Sequence, residues 1–217
     1  GIKVFITSAG SPKIYTKELK ELKKIVIHVT SSVELALKCE AAGVDAVIAE
    51  GFEAGGHNGR DEITTLVLIP QVVDALKIPV IAAGGIGDAR AINAVMCLGA
   101  QAAQLGTRFM LTQESSAHAN YKNLLLKSKS GDTFLRLKKH VPVRLLNNQF
   151  AKEIAEMESR CCTVEELEKH LGKGRARLGM LEGDMDQGEL EVGQIVGLLN
   201  DLPTCKELIS NLKGKIK

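Results

Sequence analysis

The chain has 217 residues, of which 45% are hydrophobic, and this is enough for one sizeable core in a single domain. Its 28 basic and 26 acidic residues leave a net charge of +2, which argues against a nucleic-acid or anionic-membrane partner. The apolar stretch around Ile78–Ile86 is too short and too interrupted by glycine to cross a bilayer, and no signal peptide is visible after Gly1.

The cysteines are odd in number and contain no CxxC pair, so the sequence predicts neither a disulfide framework nor a metal site. They are Cys39, Cys97, Cys161, Cys162 and Cys205. Cys39 and Cys97 lie within apolar helical patterns, where a cysteine acts as a small buried hydrophobe. We therefore expect a reducing, cytoplasmic setting.

Short apolar runs rich in β-branched residues alternate with helical patterns in the first half of the chain. The predicted strands are Val4–Thr7, Ile25–Val29, Ala46–Glu50, Val80–Ala83 and Ala102–Gly106. None shows polar alternation, which is typical of parallel strands covered by helices on both sides. Their spacing is that of right-handed βαβ units.

Helix boundaries between these strands are marked by capping residues, proline and glycine. The predicted helices are Val33–Ala42, Gln71–Lys77 and Ala89–Leu98. A capping box of Ser31 and Glu34 begins the first, Pro70 occupies the first turn of the second, and Asp88 caps the third. Glycines at 43 and 99 end the first and the third.

Beyond Phe109 the pattern changes to polar-faced helices, which predicts a helical extension packed on the same domain. The expected helices are Lys122–Lys129, Lys152–Arg160 and one capped by Thr163 with Glu166 that ends near residue 172.

The first half contains five strand–helix units, whereas a closed (β/α)8 TIM barrel needs eight units and typically about 250 residues. We therefore predict an α/β fold of the barrel type that lacks its first three βα units, and we expect a longer parent protein. Residues 1–110 would form the C-terminal five units, and residues 111–217 the helical extension.

Three glycine-rich turns follow predicted strands, at residues 50–59, 83–88 and 105–108. Loops after the strands form the active-site face of parallel β/α folds. The second and third turns place Gly84, Gly85, Gly106 and Thr107 where backbone N–H groups and helix N-termini can hold a phosphate. Alternatively, these glycines serve only tight turns. A dinucleotide-binding reading is disfavoured because Arg90 replaces the third glycine and no acidic residue ends the next strand.

His57 lies in the first of these glycine-rich turns, just past a strand end. An imidazole there is suited to moving a proton or polarising a carbonyl, although a histidine in a glycine loop can also be an exposed bystander. Glu50 ends the preceding strand, where its carboxylate can accept hydrogen bonds from sugar or ribityl hydroxyls or form a salt bridge in the barrel mouth.

Together these motifs resemble one family. The runs Ala46–His57, Pro79–Ile86 and Gln104–Phe109 are similar to signatures of nitronate monooxygenases (formerly 2-nitropropane dioxygenases) and of FMN-dependent enoyl-acyl-carrier-protein reductase II. The resemblance implies a flavin-binding barrel with FMN as cofactor, and His57 as a base on a neutral nitroalkane or a polar contact to an enoyl thioester. It also implies that the cofactor is bound by Glu50 at the ribityl chain, by Ala54 and Gly55 along its length, and by Gly84, Gly85, Gly106 and Thr107 at the phosphate.

The resemblance predicts an oxidoreductase that oxidises nitronates or nitroalkanes with O2. The alternative is an enoyl-acyl-carrier-protein reductase that uses NAD(P)H in fatty-acid synthesis, which the runs Glu50–Glu53 and Thr64–Thr65 resemble slightly more. An IMP-dehydrogenase-like enzyme would need a loop cysteine, and neither Cys39 nor Cys97 follows a strand. A non-catalytic remnant that holds no flavin is the remaining alternative. The partners expected are a small-molecule nitronate or enoyl thioester, and a second copy of the chain in a homodimer.

Overall fold

A computed structural model of the chain describes residues 1–216 and divides it into two compact units. The first unit comprises Gly1–Phe52, Asp61–Gln104 and Ile216. The second comprises Glu53–Arg60 and Leu105–Lys215. The second unit begins at Leu105 and also contains the loop Glu53–Arg60, and the division into barrel units 1–110 and a helical extension 111–217 stays a prediction.

Strands and helices are numbered in chain order over the described residues. The strands are β1 (Val4–Thr7), β2 (Ile25–Thr30), β3 (Ala46–Glu50), β4 (Gly56–His57), β5 (Val80–Ala83), β6 (Ala102–Gln104), β7 (Thr133–Arg136) and β8 (Val143–Leu146). The helices are α1 (Lys13–Glu21), α2 (Val33–Ala41), α3 (Thr65–Ala75), α4 (Ala89–Cys97), α5 (Thr107–Met110), α6 (Ala119–Leu125), α7 (Gln149–Ser159), α8 (Val164–Leu171), α9 (Arg175–Met180) and α10 (Cys205–Lys213). Short 3-10 helices lie at Ser130–Asp132 and Gln194–Leu198.

The first unit is a parallel sheet with strand order β1-β2-β3-β5-β6, as the apolar runs predict. The central strand β3 is buried on both faces over Ala46–Ala49, as is typical of a parallel strand between two covering layers. At the edge, β1 leaves Val4 47% and Ile6 57% exposed. The α/β class with parallel β/α units is confirmed, and the absence of three earlier units stays a prediction.

Two helix starts differ from the sequence prediction. The cap of α2 is Ser32 and not Ser31: the Ser32 hydroxyl accepts from the backbone N–H of Leu35 at 3.3 Å. Glu34 does not close a capping box but forms a 2.7 Å ion pair with Lys38.

The second difference concerns α3, which starts at Thr65, so Pro70 lies inside the helix and not in its first turn. A proline there leaves the carbonyl of Leu66, four residues earlier, without its helical partner. Leu66 is 68% exposed, so the missing hydrogen bond lies at an exposed position of the helix.

Other boundaries follow the sequence closely. The Asp88 carboxylate accepts from the N–H groups of Arg90 at 2.8 Å and Ala91 at 3.3 Å, which starts α4. Thr163 and Glu166 form the predicted capping box of α8.

The second unit contains strands that the sequence did not predict. An antiparallel sheet with order β4-β8-β7 lies among its helices. Apolar side chains of β8 and of helices α7 and α8, including Leu145, Phe150, Ile154 and Leu167, form one core cluster. β8 escaped prediction because Arg144, a charged residue, lies at its centre and is buried in the structure. No helix within residues 1–216 is long and apolar enough to cross a membrane.

Candidate functional site

In the first unit, Glu50 and the Gly84–Gly85 turn lie side by side at the carboxyl ends of two strands. Glu50 is the last residue of β3 and is in register with Ala83, the residue before Gly84. The Glu50 side chain is half-buried, and the loss of water around its carboxyl raises the pKa of Glu50 to about 7. Within residues 1–216, no group donates a hydrogen bond to its carboxyl. This carboxyl is therefore able to receive a donor from outside the chain.

The backbone conformation and packing at position 84 require a glycine, whether or not a ligand binds there. Its φ of +92° is in the left-handed region, and a Cβ at this position would lie 2.5 Å from the carbonyl oxygen of Gly51. The hydroxyl of Thr65 donates to the Gly84 carbonyl at 2.9 Å. Gly85 also has a positive φ, +69°. The tight-turn interpretation thus accounts for both conformations, and a role in phosphate binding stays a prediction.

In the second unit, Gly106 and Thr107 begin α5. A Cβ at Gly106 would meet nothing within 4 Å, so the exposed backbone there is open to a ligand. Thr107 is buried, and its hydroxyl accepts from the backbone N–H of Gly193 at 3.0 Å. The hydroxyl proton remains available for donation to a second group.

Ala54 and Gly55 are also in the second unit. A Cβ at Gly55 would lie 2.5 Å from the backbone nitrogen of Gly193, so glycine is needed for the close approach of two backbone segments. Ala54 is buried, and its carbonyl accepts from the side-chain amide of Asn58 at 2.9 Å. The structure therefore brings Gly55 and Thr107 together, through their shared neighbour Gly193.

His57 belongs to β4 and pairs with Val143 of β8. Its side chain is exposed and lines a cavity of about 240 Å³ within the second unit. Other ionisable groups on the cavity wall are His140, Arg175, Glu189 and Glu191. His57 therefore lies on a cavity wall together with two half-buried carboxyls, and its role in proton transfer stays a prediction.

The two carboxyls of this cavity have different partners. Burial raises the pKa of Glu189 to about 7, the nearby Glu191 charge adds to this, and Arg175 opposes it. Burial also raises the pKa of Glu191, and the positive charge of a protonated His57 opposes that rise. Arg175 is itself held by donation to the carbonyls of Gln187 at 2.9 Å and His170 at 3.2 Å.

Glu189 and Glu191 were not predicted as site residues. The sequence feature that could have identified them is the alternation of charged and apolar residues from Glu189 to Val192. Leu190 and Val192 are fully buried, and the two glutamates alternate with them. This is a strand-like pattern, and Glu191 forms an isolated bridge with Leu145 of β8. The pattern was hidden within a segment rich in glycine and acidic residues.

Other chemistries receive no support from the described residues. Within residues 1–216, no group of three or more histidine, cysteine or acidic side chains is arranged to hold a metal ion. Cys39 lies on α2, and burial raises the pKa of its thiol to about 11, so it is not an activated nucleophile.

Comparison with known proteins identifies the family. A family model described as nitronate monooxygenase matches residues 1–214. A probable nitronate monooxygenase of Bacillus subtilis is 34% identical over 209 residues, which are 93% of this chain and 60% of that protein. The chain thus spans less than two thirds of that relative's length.

Two solved structures are similar over nearly the whole chain. The FabK protein of Thermotoga maritima is 41% identical with a TM-score of 0.92, covering 98% of this chain and 67% of that one. A nitroalkane oxidase of Streptomyces ansochromogenes is 32% identical with a TM-score of 0.80, covering 99% of this chain and 64% of that one. The chain therefore belongs to the nitronate monooxygenase family.

Proposed function

We propose that this chain is the larger part of an FMN-dependent oxidoreductase that oxidises nitronates or nitroalkanes with O2. The observation that carries the proposal is His57, an exposed imidazole on the wall of a cavity that is also lined by the half-buried Glu189 and Glu191. Similar proteins are named nitronate monooxygenase and nitroalkane oxidase, and these names support the oxidation of nitronates or nitroalkanes as the reaction.

Several of the residues expected to hold FMN fit that task. The Glu50 carboxyl has no hydrogen-bond donor within residues 1–216 and suits a ribityl hydroxyl. The open backbone at Gly106 and the spare hydroxyl proton of Thr107 suit a phosphate oxygen. The remaining members of the proposed set are Ala54, Gly55, Gly84 and Gly85. When bound, FMN would supply the electron-accepting chemistry that no side chain provides.

His57 supplies the proton chemistry in this proposal. Its neutral imidazole removes the proton from the carbon that bears the nitro group. The C–H bond breaks, an N–H bond forms on the ring, and the electron pair delocalises into the nitro group to give the nitronate. A substrate that is already a nitronate needs no such step, so its oxidation should depend less on His57.

The second candidate is an enoyl-acyl-carrier-protein reductase that takes electrons from NAD(P)H. It is favoured by the likeness to FabK, an enoyl-acyl-carrier-protein reductase II, at 41% identity and a TM-score of 0.92. In this reaction, His57 would be a polar contact to the thioester of the substrate. The two candidates differ in electron donor and electron acceptor and share the same proposed cofactor residues.

The experiment that separates the two is a visible spectrum of the full-length protein, followed by anaerobic substrate addition. Bleaching of the flavin bands by a nitronate and not by NAD(P)H is the expected result. Bleaching by NAD(P)H, with reoxidation by an enoyl thioester, would transfer the assignment to the reductase. A full-length protein that takes up no FMN on reconstitution would overturn both candidates.

A second comparison tests His57 itself. We expect a His57→Ala variant with full flavin content to lose about 10²-fold or more in kcat/KM on a neutral nitroalkane, the contribution of a general base. Its loss on the preformed nitronate should be much smaller. Equal losses on both substrates would remove His57 from proton abstraction.

A further inference from the structure

We propose that Arg60 is a positioning residue for substrate binding, because its guanidinium ties one wall of the His57 cavity to the loop after β4 (residues 58–60). That wall is the β7–β8 turn (residues 137–142), which contributes Leu137, His140 and Val141 to the cavity lining. The inference rests on the proposed function, since it takes this cavity as the place where the substrate binds. The tether itself can be measured without any turnover.

The first argument is that Arg60 continues the pairing between β4 and β8 beyond the point where the backbone ladder stops. The two strands are antiparallel, with His57 opposite Val143. One residue further on, the N–H of Asn58 donates to the carbonyl of Pro142 at 2.8 Å. A proline has no N–H with which to return a hydrogen bond, so the backbone ladder ends there.

Two hydrogen bonds from the Arg60 side chain join the segments beyond this proline. Its Nη2 donates to the carbonyl of His140 at 2.6 Å, and its Nη1 donates to the carbonyl of Lys138 at 3.4 Å. If the register of β4 and β8 continued, Arg60 would lie directly opposite His140. A charged donor makes a stronger hydrogen bond than a neutral one, although water competes for this exposed guanidinium. The side chain thus replaces the backbone donor that the proline lacks.

The second argument is that the β7–β8 turn has a strained backbone. Leu137 has a φ of +60°, a left-handed conformation that is unfavourable for a residue with a Cβ. Its side chain is buried in the core cluster around Phe150, and its carbonyl accepts from the N–H of His140 at 2.9 Å. Such a conformation persists only where surrounding contacts hold it. Arg60 is one of these contacts, because it binds two carbonyls of the turn.

The same turn is also held by two helices. The carboxyl of Glu158 on α7 accepts from the N–H of Lys138 at 3.0 Å. The carboxyl of Glu168 on α8 lies 3.5 Å from Nδ1 of His140. The turn should therefore stay folded when Arg60 is replaced, whereas its side-chain link to the loop after β4 is lost.

Loss of this link should affect substrate binding more than proton transfer. His57 remains paired with β8, while the side chains of the turn lose one of the contacts that hold them at the cavity. Wall contacts that are equal in the bound substrate and in the transition state change KM and leave kcat as it is. A merely structural role of Arg60 would instead lower the fraction of active protein, and with it kcat, at an unchanged KM.

The test in turnover compares two arginine variants of the FMN-loaded, full-length protein. We expect Arg60→Met, which keeps an unbranched side chain without donors, to raise KM for nitroethane about fivefold, the effect of about one net hydrogen bond. Its kcat should stay within about twofold of the wild type. The matched control is Arg160→Met, which removes an exposed guanidinium paired with Glu156 and should leave both constants unchanged. A fall in kcat at unchanged KM, or no change in either constant, would overturn the inference.

The test without turnover is hydrogen exchange of the β7–β8 turn, followed by mass spectrometry in the full-length protein. We expect the amides of residues 138–141 to exchange about fivefold faster in Arg60→Met, because the turn opens more often. Exchange in Arg160→Met should match the wild type. The Arg60 variant is expected to fold because this side chain is exposed. Unchanged exchange in Arg60→Met would show that the guanidinium does not hold the turn, and the inference would fail.

These outcomes distinguish the inference from the proposed function. A wild-type protein that binds no FMN and turns over no nitroalkane would overturn the proposed function, while hydrogen exchange would still decide whether Arg60 holds the turn. An active wild-type protein whose KM and exchange do not respond to Arg60→Met would overturn the inference alone.

Discussion

Replacing Glu50 by glutamine should stabilise the cofactor-free protein in a way that depends on pH. The ordinary pKa of 4.5 applies to the unfolded chain, and burial raises the folded value to about 7. At about 1.4 kcal/mol for each pH unit, ionising this carboxyl in the folded state costs about 3 kcal/mol. The physical cause is that the charged form loses hydration in the folded state and gains no donor from residues 1–216.

The sign follows from proton binding in the two states. Between pH 4.5 and about 7 the folded protein retains a proton that the unfolded chain has released. The free energy of unfolding therefore falls as pH rises through this interval, and the cost is fully present above it. Glutamine has the same shape and does not ionise, so the gain from Glu50→Gln should be about 3 kcal/mol near pH 8 and close to zero near pH 4.

Urea unfolding of the full-length, flavin-free protein at these two pH values measures the difference. The control is Glu21→Gln, which removes an exposed carboxyl on α1 of the same unit and should give no pH-dependent gain. Equal stability of wild type and Glu50→Gln at pH 8 would show that the folded state ionises Glu50 without cost. The same variant should bind FMN more weakly if the carboxylate accepts from the ribityl chain.

Three further substitutions test individual contacts, and Gly43→Ala is the control for the first. Gly84→Ala should destabilise by about 3 kcal/mol, because the new Cβ would lie 2.5 Å from the Gly51 carbonyl in addition to the left-handed φ. Gly43→Ala, with a φ of +86° and nothing within 4 Å, should cost only the backbone term of about 1 kcal/mol; equal losses would refute the steric argument. Lys122→Met should cost about 2–3 kcal/mol, since the buried ammonium donates to three backbone carbonyls, and an unchanged thermal midpoint would contradict this. Asp88→Ala should cost about 1 kcal/mol as the loss of a helix cap, and hydrogen exchange in the first turn of α4 should rise with it.

The parallel sheet of the first unit could be predicted because each of its strands is marked by a local run of apolar, β-branched residues. The bounds of β1, β3 and β5 match the predicted strands residue for residue, since each is a short run dominated by apolar residues between helical patterns. Asp88 was identifiable as a cap for the same local reason, because its side chain binds N–H groups within three residues.

Local patterns failed where a distant contact decides the outcome. Two adjacent serines compete to cap α2, and the sequence cannot tell which hydroxyl reaches the right N–H group. Pro70 marks the start of a helix in most sequences, yet here tertiary packing extends α3 five residues before it. β8 places Arg144 in a buried strand, which is acceptable only because partners such as Thr133 lie within hydrogen-bond distance.

For the candidate site, the sequence by itself determined which residue types end or follow the strands: a carboxyl at Glu50, an imidazole at His57 and glycines at the turns. Those positions follow from the chain's order, because loops after parallel strands lie on one face of such a fold. Only the tertiary structure decided that Glu191, 134 positions after His57 in the sequence, lies against the glycine before it. A contact of this kind depends on the antiparallel bridging of β8 with two distant segments, and no pattern within either segment encodes it.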